Sequence, residues 1–537
     1  MRPAAPGSST FRRSSPPRRD MRPTPRSNRT ASVRSTILRK ASATLDQTQQ
    51  PISLSRRIPM QTEKMKTGEK VIFAWGDVFG GGAQALISVL YLIFLTDIVG
   101  LDPAFAGAIV MVSKLWDAVC DPLVGAITDN ARTKMGRRRP FILFGSFAVL
   151  LGFLLLWIPT GGWQSDLAKG GFALATLLFY NTVDTFVAIP YSSLSAEIST
   201  DIQERNGVNI LRLVFSTIAS AVCTLVPTMI LDAYTAGSIS LSGFYLSIAL
   251  GFGIFFIIPL ILIGLFTKER AAITETKTKI TVTAFVRPLR VKAFRGLVYM
   301  YLCQSISMDI LGSGIIYFSK YVLQSGSSTV FLGIFIGVQV LMFPVIHKIV
   351  KTVDKKKIYY FGLPLALVGF LGVGLYPAGW PIVGAYALTA VTAIGFAGAQ
   401  LISWIIFPDA VDVGELKDVD RATGSYSGIM TFIRKISAAI AIQIFGLMLS
   451  ISGYVTPTEA MPVPDQPLSA QIGIRIAMAG SFILLMAVGW VVARRFVLTN
   501  ARSERVRNLL KIRNAVGPDG LSAVEKAELA DLGKLLF

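Results

Sequence analysis

Apolar runs long enough to cross a lipid bilayer recur twelve times in this chain. They lie near residues 71–98, 104–128, 140–159, 171–197, 206–231 and 243–266, and again near 296–323, 328–350, 358–377, 381–407, 422–453 and 469–496. About 20 residues at ~1.5 Å rise match a ~30 Å hydrocarbon core, and a helix satisfies its own backbone hydrogen bonds where no water can. The expected fold is therefore an all-α membrane protein of twelve transmembrane helices. A polar stretch after the sixth run divides them six and six, the plan of carriers built from two helical bundles around a central site. Composition agrees: 52% of the 537 residues are hydrophobic and 16% charged, well under the roughly one quarter charged of soluble domains.

The expected domains are a basic N-terminal extension (1–66), a first six-helix bundle (67–267), a cytoplasmic middle loop (268–295), a second six-helix bundle (296–498) and a cytoplasmic tail (499–537). The extension holds fifteen Lys and Arg against Asp20, Asp46 and Glu63, so twelve of the twenty-one net positive charges sit there. It is rich in Pro, Ser, Thr and Arg and has no apolar periodicity, the composition of a disordered segment. A transit peptide shares that character, and a start at Met60 or Met65 would remove it. Elsewhere the charge marks orientation. Arg132, Lys134 and Arg137 to Arg139 follow the second run, and Lys351 and Lys355 to Lys357 follow the eighth. Short cytoplasmic loops carry such excess, so both termini are expected in the cytoplasm, across a plasma (bacterial inner) membrane. Lipid and a small molecule are then the expected partners, nucleic acid is not, and a monomer is expected.

The same inventory argues against catalysis. Cys120, Cys223 and Cys303 lie in apolar runs without CxxC spacing, and His347 is the only histidine, so neither a zinc site nor a histidine-based triad is supported. Gly80 to Gly82 precede no GK[ST] and fit close helix packing. The chain is expected not to be an enzyme and to need no cofactor beyond a coupling ion.

Within the second run, KLWDAVCDP places Asp117 and Asp121 at membrane depth. Their i, i+4 spacing puts them on one helix face, about 6 Å apart. Each costs ~2.5 kcal/mol or more near the bilayer centre, and the two charges repel by ~3 kcal/mol at an effective dielectric of 20. The pair should hold a proton or cation, with Lys114 able to neutralise one charge. A salt-bridged structural pair is the plainer reading; a cation site on a transport path is the stronger one.

WGDVFGGGAQ at Trp75, FLTDIVGL at Phe94, KLWDAVCDPLVG at Lys114, IPYSSLSAEIS at Ile189, ERNGVNILR at Glu204, and PDAVDVGELKD with TGSYSGIMTFIRK from Pro408 to Lys435 occur in that order. Together they resemble the glycoside-pentoside-hexuronide:cation symporters of the major facilitator superfamily, over roughly residues 68–498. The GxxxD and GRRR around Gly125, Asp129 and Arg137 resemble the superfamily's loop signature. The resemblance implies a cation site at Asp117 and Asp121 with Thr185. Cys120 falls where an asparagine is expected, and a thiol suits a hard ion poorly, so a proton gains over sodium as the coupling ion. It further implies sugar contacts at Asp77 and Arg212, and a link between sugar and cation sites at Lys435, next to Arg434.

Ala188 and Ser192 stand where a galactoside-carrying member of that family has the aspartate and tryptophan that grip its sugar, while Asp184 lies one turn before Ala188. Retaining Arg212 and Lys435 hints at an anionic sugar, a uronide or oligogalacturonide, unless Asp77, Asp184 and Asp309 neutralise those cations. Asp309 is a further candidate cavity residue in the seventh run. Gln400 and Trp404, one turn apart, could offer a hydrogen bond and an aromatic face to a pyranose. Asp129, Arg137, Asp409, Asp412 and Arg421 are expected in gate salt bridges. The implied function is sugar symport with sodium or proton; lysophospholipid carriage on the same fold is the alternative.

Overall fold

The computed structural model describes residues 64–199, 201–270, 286–418, 423–457, 461, 463–517 and 520–537. The expected N-terminal extension, nearly all of it, and most of the middle loop lie outside these residues. The helices, numbered in chain order, are α1 Thr67–Ile98, α2 Pro103–Asn130, α3 Arg139–Leu156, α4 Asp166–Glu197, α5 Ile202–Thr235 and α6 Leu241–Phe266. After the middle loop come α7 Lys292–Tyr317, α8 Ser328–Ile349, α9 Lys355–Leu375, α10 Val383–Asp418, α11 Thr423–Ile451 and α12 Leu468–Arg495. Two tail helices follow, α13 Asn500–Val516 and α14 Ala523–Leu536. Polar side chains set several starts: Asp102 accepts from the Ala104 and Phe105 amides ahead of Pro103, and Ser522 and Glu525 form a capping box.

Eleven of these helices are long and apolar enough to cross a membrane. The twelfth crossing is α7, whose apolarity is diluted by Gln304, Ser305, Ser307 and Asp309. Its flanks explain how it bears them, since α7 packs against α1, α10, α11 and α12 and is buried along most of its length. A helix shielded by protein on all sides need not be apolar all round.

The first six helices pair α1 with α5 and α6, α2 with α4, and α3 with α4 and α6; the second six pair α7 with α11 and α12, α8 with α10, and α9 with α10 and α12. Adding six to each of these helix numbers converts one set of pairs into the other, although α7 also packs on α10, so the bundles are internal repeats. Their irregularities repeat too. A π-turn ends α1 at Phe94–Ile98 and extends α7 at Phe318–Leu323, and others lie in α6 at Leu246–Phe252 and α12 at Ile476–Gly480. Between bundles, α2 packs along α11, α1 on α7 and α5 on α8. Gly446 makes the first crossing close: a Cβ there would stand 2.3 Å from the Pro103 carbonyl oxygen.

The tenth helix passes through Pro408 to Asp418. Asp409, Asp412 and Glu415 therefore lie on α10, which runs about three turns past the end near residue 407 expected from its apolar run.

Candidate functional site

Pro122 stands inside α2 one residue after Asp121, removing one intrahelical hydrogen bond beside the two aspartates. Asp117 is buried at 2% exposure, while 31% of the Asp121 side chain is exposed. Thr185 of α4 donates its hydroxyl to Asp117 Oδ1 at 3.1 Å. Across the bundle interface, the Lys435 ammonium of α11 lies 2.9 Å from Asp117 Oδ2 and 2.7 Å from Asp121 Oδ2. The expected cation pair, threonine and lysine thus converge. Lys114 does not join them as expected; it donates to Gln84 of α1 at 2.9 Å. Lys114 shares the helix face of Asp117 and Asp121 and stays within electrostatic reach of Asp117, but its ammonium is turned to α1, and the ion pairs to both aspartates come from Lys435 of α11. Cys120 is buried one turn from Asp117, on the side of Thr182.

Asp184, next to Thr185, is within electrostatic reach of Asp117, Asp121, Lys114 and Lys435, and has no hydrogen bond among the described residues. These five groups carry three negative charges and two positive ones when all are ionised.

Two further ion pairs sit at membrane depth. Arg212 of α5 donates to Asp77 at 2.7 and 3.4 Å and to the Tyr191 hydroxyl at 3.1 Å, and its guanidinium lies 4.5 Å from the centre of the Tyr191 ring. Tyr191 is held in turn by donating to the Phe73 carbonyl. In the other bundle Arg434 grips Asp309 through two bonds of 2.6 and 2.7 Å. The neighbours Arg434 and Lys435 therefore divide the work: the arginine faces α7 of its own bundle and the lysine faces α2 of the other. Every cation expected to hold an anionic sugar already faces a carboxylate of the protein. Trp404 is 54% exposed, edge-on to Tyr301, and the Gln400 side-chain oxygen is buried without a hydrogen-bond partner among the described residues.

The expected gate residues are placed differently. Arg137 and Arg138 pair with Glu197 of the same bundle. Glu269 accepts the amides of Arg137, Arg138 and Arg139 at 2.8, 2.7 and 3.1 Å. Gly136 makes that cradle, with φ of +110° and with the Glu269 carboxylate 2.5 Å from where a Cβ would be. Asp409 binds Lys355 at 2.5 Å and Arg507 at 3.2 Å, all within the second bundle and tail. Arg137 and Asp409 thus brace their own bundles rather than bridging two, because their partners are the nearest charges on adjoining helix ends. Asp412 is engaged with a neighbour. The side chain of Asp129, and Arg421 altogether, lie outside the described residues.

A latch absent from the sequence reading closes the opposite face. Asp97, in the α1 π-turn, accepts from Lys320 at 2.6 Å and Tyr321 at 2.5 Å, both in the α7 π-turn, and from Tyr454 at 2.8 Å. Only 3% of its side chain is exposed. Nearby, Asp102 takes Ser450 of α11 at 2.8 Å, and Asp232 of α5 takes Ser327 and Thr329 ahead of and within α8 at 2.6 and 3.1 Å. The signal was present in an acid and a base at equivalent points of the two repeats.

The sequence model of one family, described as MFS/sugar transport protein, matches residues 72–500. An uncharacterized symporter from Synechocystis sp. is 26% identical over 542 aligned positions, covering 84% of this chain and 98% of that protein. The glucuronide carrier protein homolog of Escherichia coli is 25% identical, covering 78% and 90%. The isoprimeverose transporter of Lactiplantibacillus pentosus is 24% identical, covering 72% and 81%. Among solved structures, a D-xylose-proton symporter superposes with a TM-score of 0.54 at 12% identity, over 80% of this chain and 96% of that one, which supports the fold. With a family match spanning most of the chain, and two six-helix repeats to carry it, this protein belongs to the MFS/sugar transport family.

Proposed function

We propose that this chain imports a sugar across the plasma membrane in symport with a proton or sodium ion, with both termini in the cytoplasm. The observation that carries the reading is Lys435 lodged between Asp117 and Asp121. It is a protein-borne cation in the place a coupling ion would take, and it reaches there from the other bundle. A coupling ion entering beside Asp117, Asp121 and Thr185 competes with that ammonium, so ion binding changes how the bundles are tied together. The residual negative charge of the five-group cluster calls for one monovalent cation. Coupling free energies between two such ligands are typically ~1–3 kcal/mol and act reciprocally.

For the cargo, we favour a neutral glycoside or pentoside over a uronide. Arg212, Arg434 and Lys435 are each matched by a carboxylate, and a substrate carboxylate would have to displace one of them. Asp77, Arg212, Gln400 and Trp404 supply the hydrogen-bonding and stacking groups a neutral sugar uses. Relatives named for a glucuronide and for isoprimeverose span both charge types.

Reconstituted vesicles test both parts. Uptake of labelled pentosides, galactosides and uronides is measured under separate proton and sodium gradients, for wild type and for Asp117→Asn with Asp121→Asn. Gradient-driven accumulation of a neutral sugar, lost in the double variant, is expected. Intact accumulation in that variant would defeat the ion site, and uptake of uronides alone would defeat the cargo assignment.

A further inference from the structure

A cavity of about 440 Å³ opens at the basic face of the second bundle, remote from the central site. Its walls come from the α8–α9 turn, through Lys351 and Lys355, and from α13, through Arg507, Asn508 and Lys511. Among the described residues, Glu504 is the one carboxylate in its lining. Beneath it Asp409, with 8% of its side chain exposed, takes Lys355 on one oxygen and Arg507 on the other. Each of those cations spends one donor there and keeps others, because an ammonium has three N–H groups and a guanidinium five. Lys351 and Lys511 are exposed at the lip and have no ion pair with a described residue. Four cations against Glu504 and Asp409 leave a net charge of about +2.

The tail helix is built to hold this arrangement. Val506, Leu509 and Leu510 of α13 are buried, and α13 packs on α10, so Arg507, Asn508 and Lys511 are turned outward. The Asn500 side chain ties the start of α13 to the α8–α9 turn, accepting from the Lys355 amide and donating to the Val353 carbonyl, at 3.4 Å each. Because α13 begins five residues after the membrane-crossing helix α12 ends at Arg495, the cavity is expected near the level of lipid headgroups.

We propose that this cavity binds a phosphate group, presented by an anionic phospholipid headgroup of the cytoplasmic leaflet or by a free phosphate. A phosphate diester fits the surplus charge, the preset lysine and arginine, and the position at the membrane surface, where basic pockets of this kind recruit anionic lipid. Only the assignment to the cytoplasmic leaflet rests on the orientation proposed above.

The test uses the full chain purified in neutral detergent and incubated with equal amounts of phosphatidylglycerol and phosphatidylcholine, with retained lipid counted by native mass spectrometry. A second arm adds millimolar inorganic phosphate as competitor. Wild type is expected to retain phosphatidylglycerol preferentially. Lys351→Gln with Lys511→Gln, which breaks no ion pair among the described residues, is expected to weaken retention by roughly tenfold or more. Displacement by inorganic phosphate would assign the site to free phosphate, and retention in its presence to lipid. Equal retention of both lipids with no effect of phosphate, or unchanged binding by the double variant, overturns the proposal. Unchanged thermal stability of the variant excludes misfolding, and since binding is read without transport, a failure here is separable from a failure of the symport reading.

Discussion

The Lys435 ammonium lies 2.7 Å from Asp121 Oδ2, so the second bundle places its own charge in the acidic pair of the first. A buried ion pair loses most when one partner is removed, since the remaining charge is stranded. Here the stranded charges are two carboxylates that repel each other, and any mobile cation would relieve them.

Lys435→Gln should therefore raise the affinity of the site for its coupling ion. Removing the internal competitor is expected to lower the half-saturating ion concentration by about tenfold or more, corresponding to ~1.4 kcal/mol per decade. Accumulation should fall at the same time, because the ion is released less readily. Titrating sugar binding with sodium, and separately with pH, reads the shift. An unchanged midpoint would mean that Lys435 and the ion do not share a site.

The latch at Asp97 should control opening of the opposite face. Asp97→Asn keeps the shape but removes the charge that Lys320 faces, and hydrogen bonds to charged groups contribute ~1.5–3 kcal/mol each. Ser313 lies between the bundles, donating to the Ser88 carbonyl at 3.1 Å, and is 2% exposed. A cysteine placed at Ser313 should react with an impermeant maleimide roughly tenfold faster in the Asp97→Asn background. The three native cysteines are buried, so the rate reports the introduced thiol. Equal rates would make the latch incidental.

Gly446 offers an opposite handle on the same motion. Its missing Cβ admits the Pro103 carbonyl, and overpacking such a contact costs typically ~1–3 kcal/mol. Gly446→Ala should penalise only the closed crossing of α2 and α11, raising maleimide access at Ser313→Cys and slowing transport while leaving the protein folded. Access unchanged from wild type would show that the crossing yields elsewhere.

Much of this was legible because length and spacing carry it. Twelve apolar runs gave twelve crossings, and Asp117 and Asp121 declare themselves by standing in lipid at i, i+4. The end of α10 was not legible, since a proline normally discourages helix in the residue before it, whereas at Pro408 neighbouring helices sustain the turn. The partners were least legible. Asp97 and Lys320 are 223 residues apart, and each alone reads as a charge near a helix end; only the repeat brings the two π-turns together. Arg434 and Lys435 show the same limit, since adjacent cations on one helix point to different bundles and only packing decides which.

Asp184 supplies the sharpest remaining test of coupling. It stands beside Thr185, whose hydroxyl holds Asp117, yet it has no hydrogen bond of its own among the described residues. A carboxylate left so at membrane depth is costly when ionised, and it is the member that takes the cluster from neutral to net negative. Asp184→Asn removes that excess while preserving size. Sugar exchange between equal pools on both sides needs no net ion movement and should persist. Accumulation against a gradient needs the ion to ride with the sugar and should be lost, and sugar binding should become nearly independent of the coupling ion. If the residue instead contacts sugar directly, the variant would weaken binding and depress exchange and accumulation together while keeping the ion dependence. Measuring exchange, accumulation and the ion dependence of binding on one preparation separates the two roles.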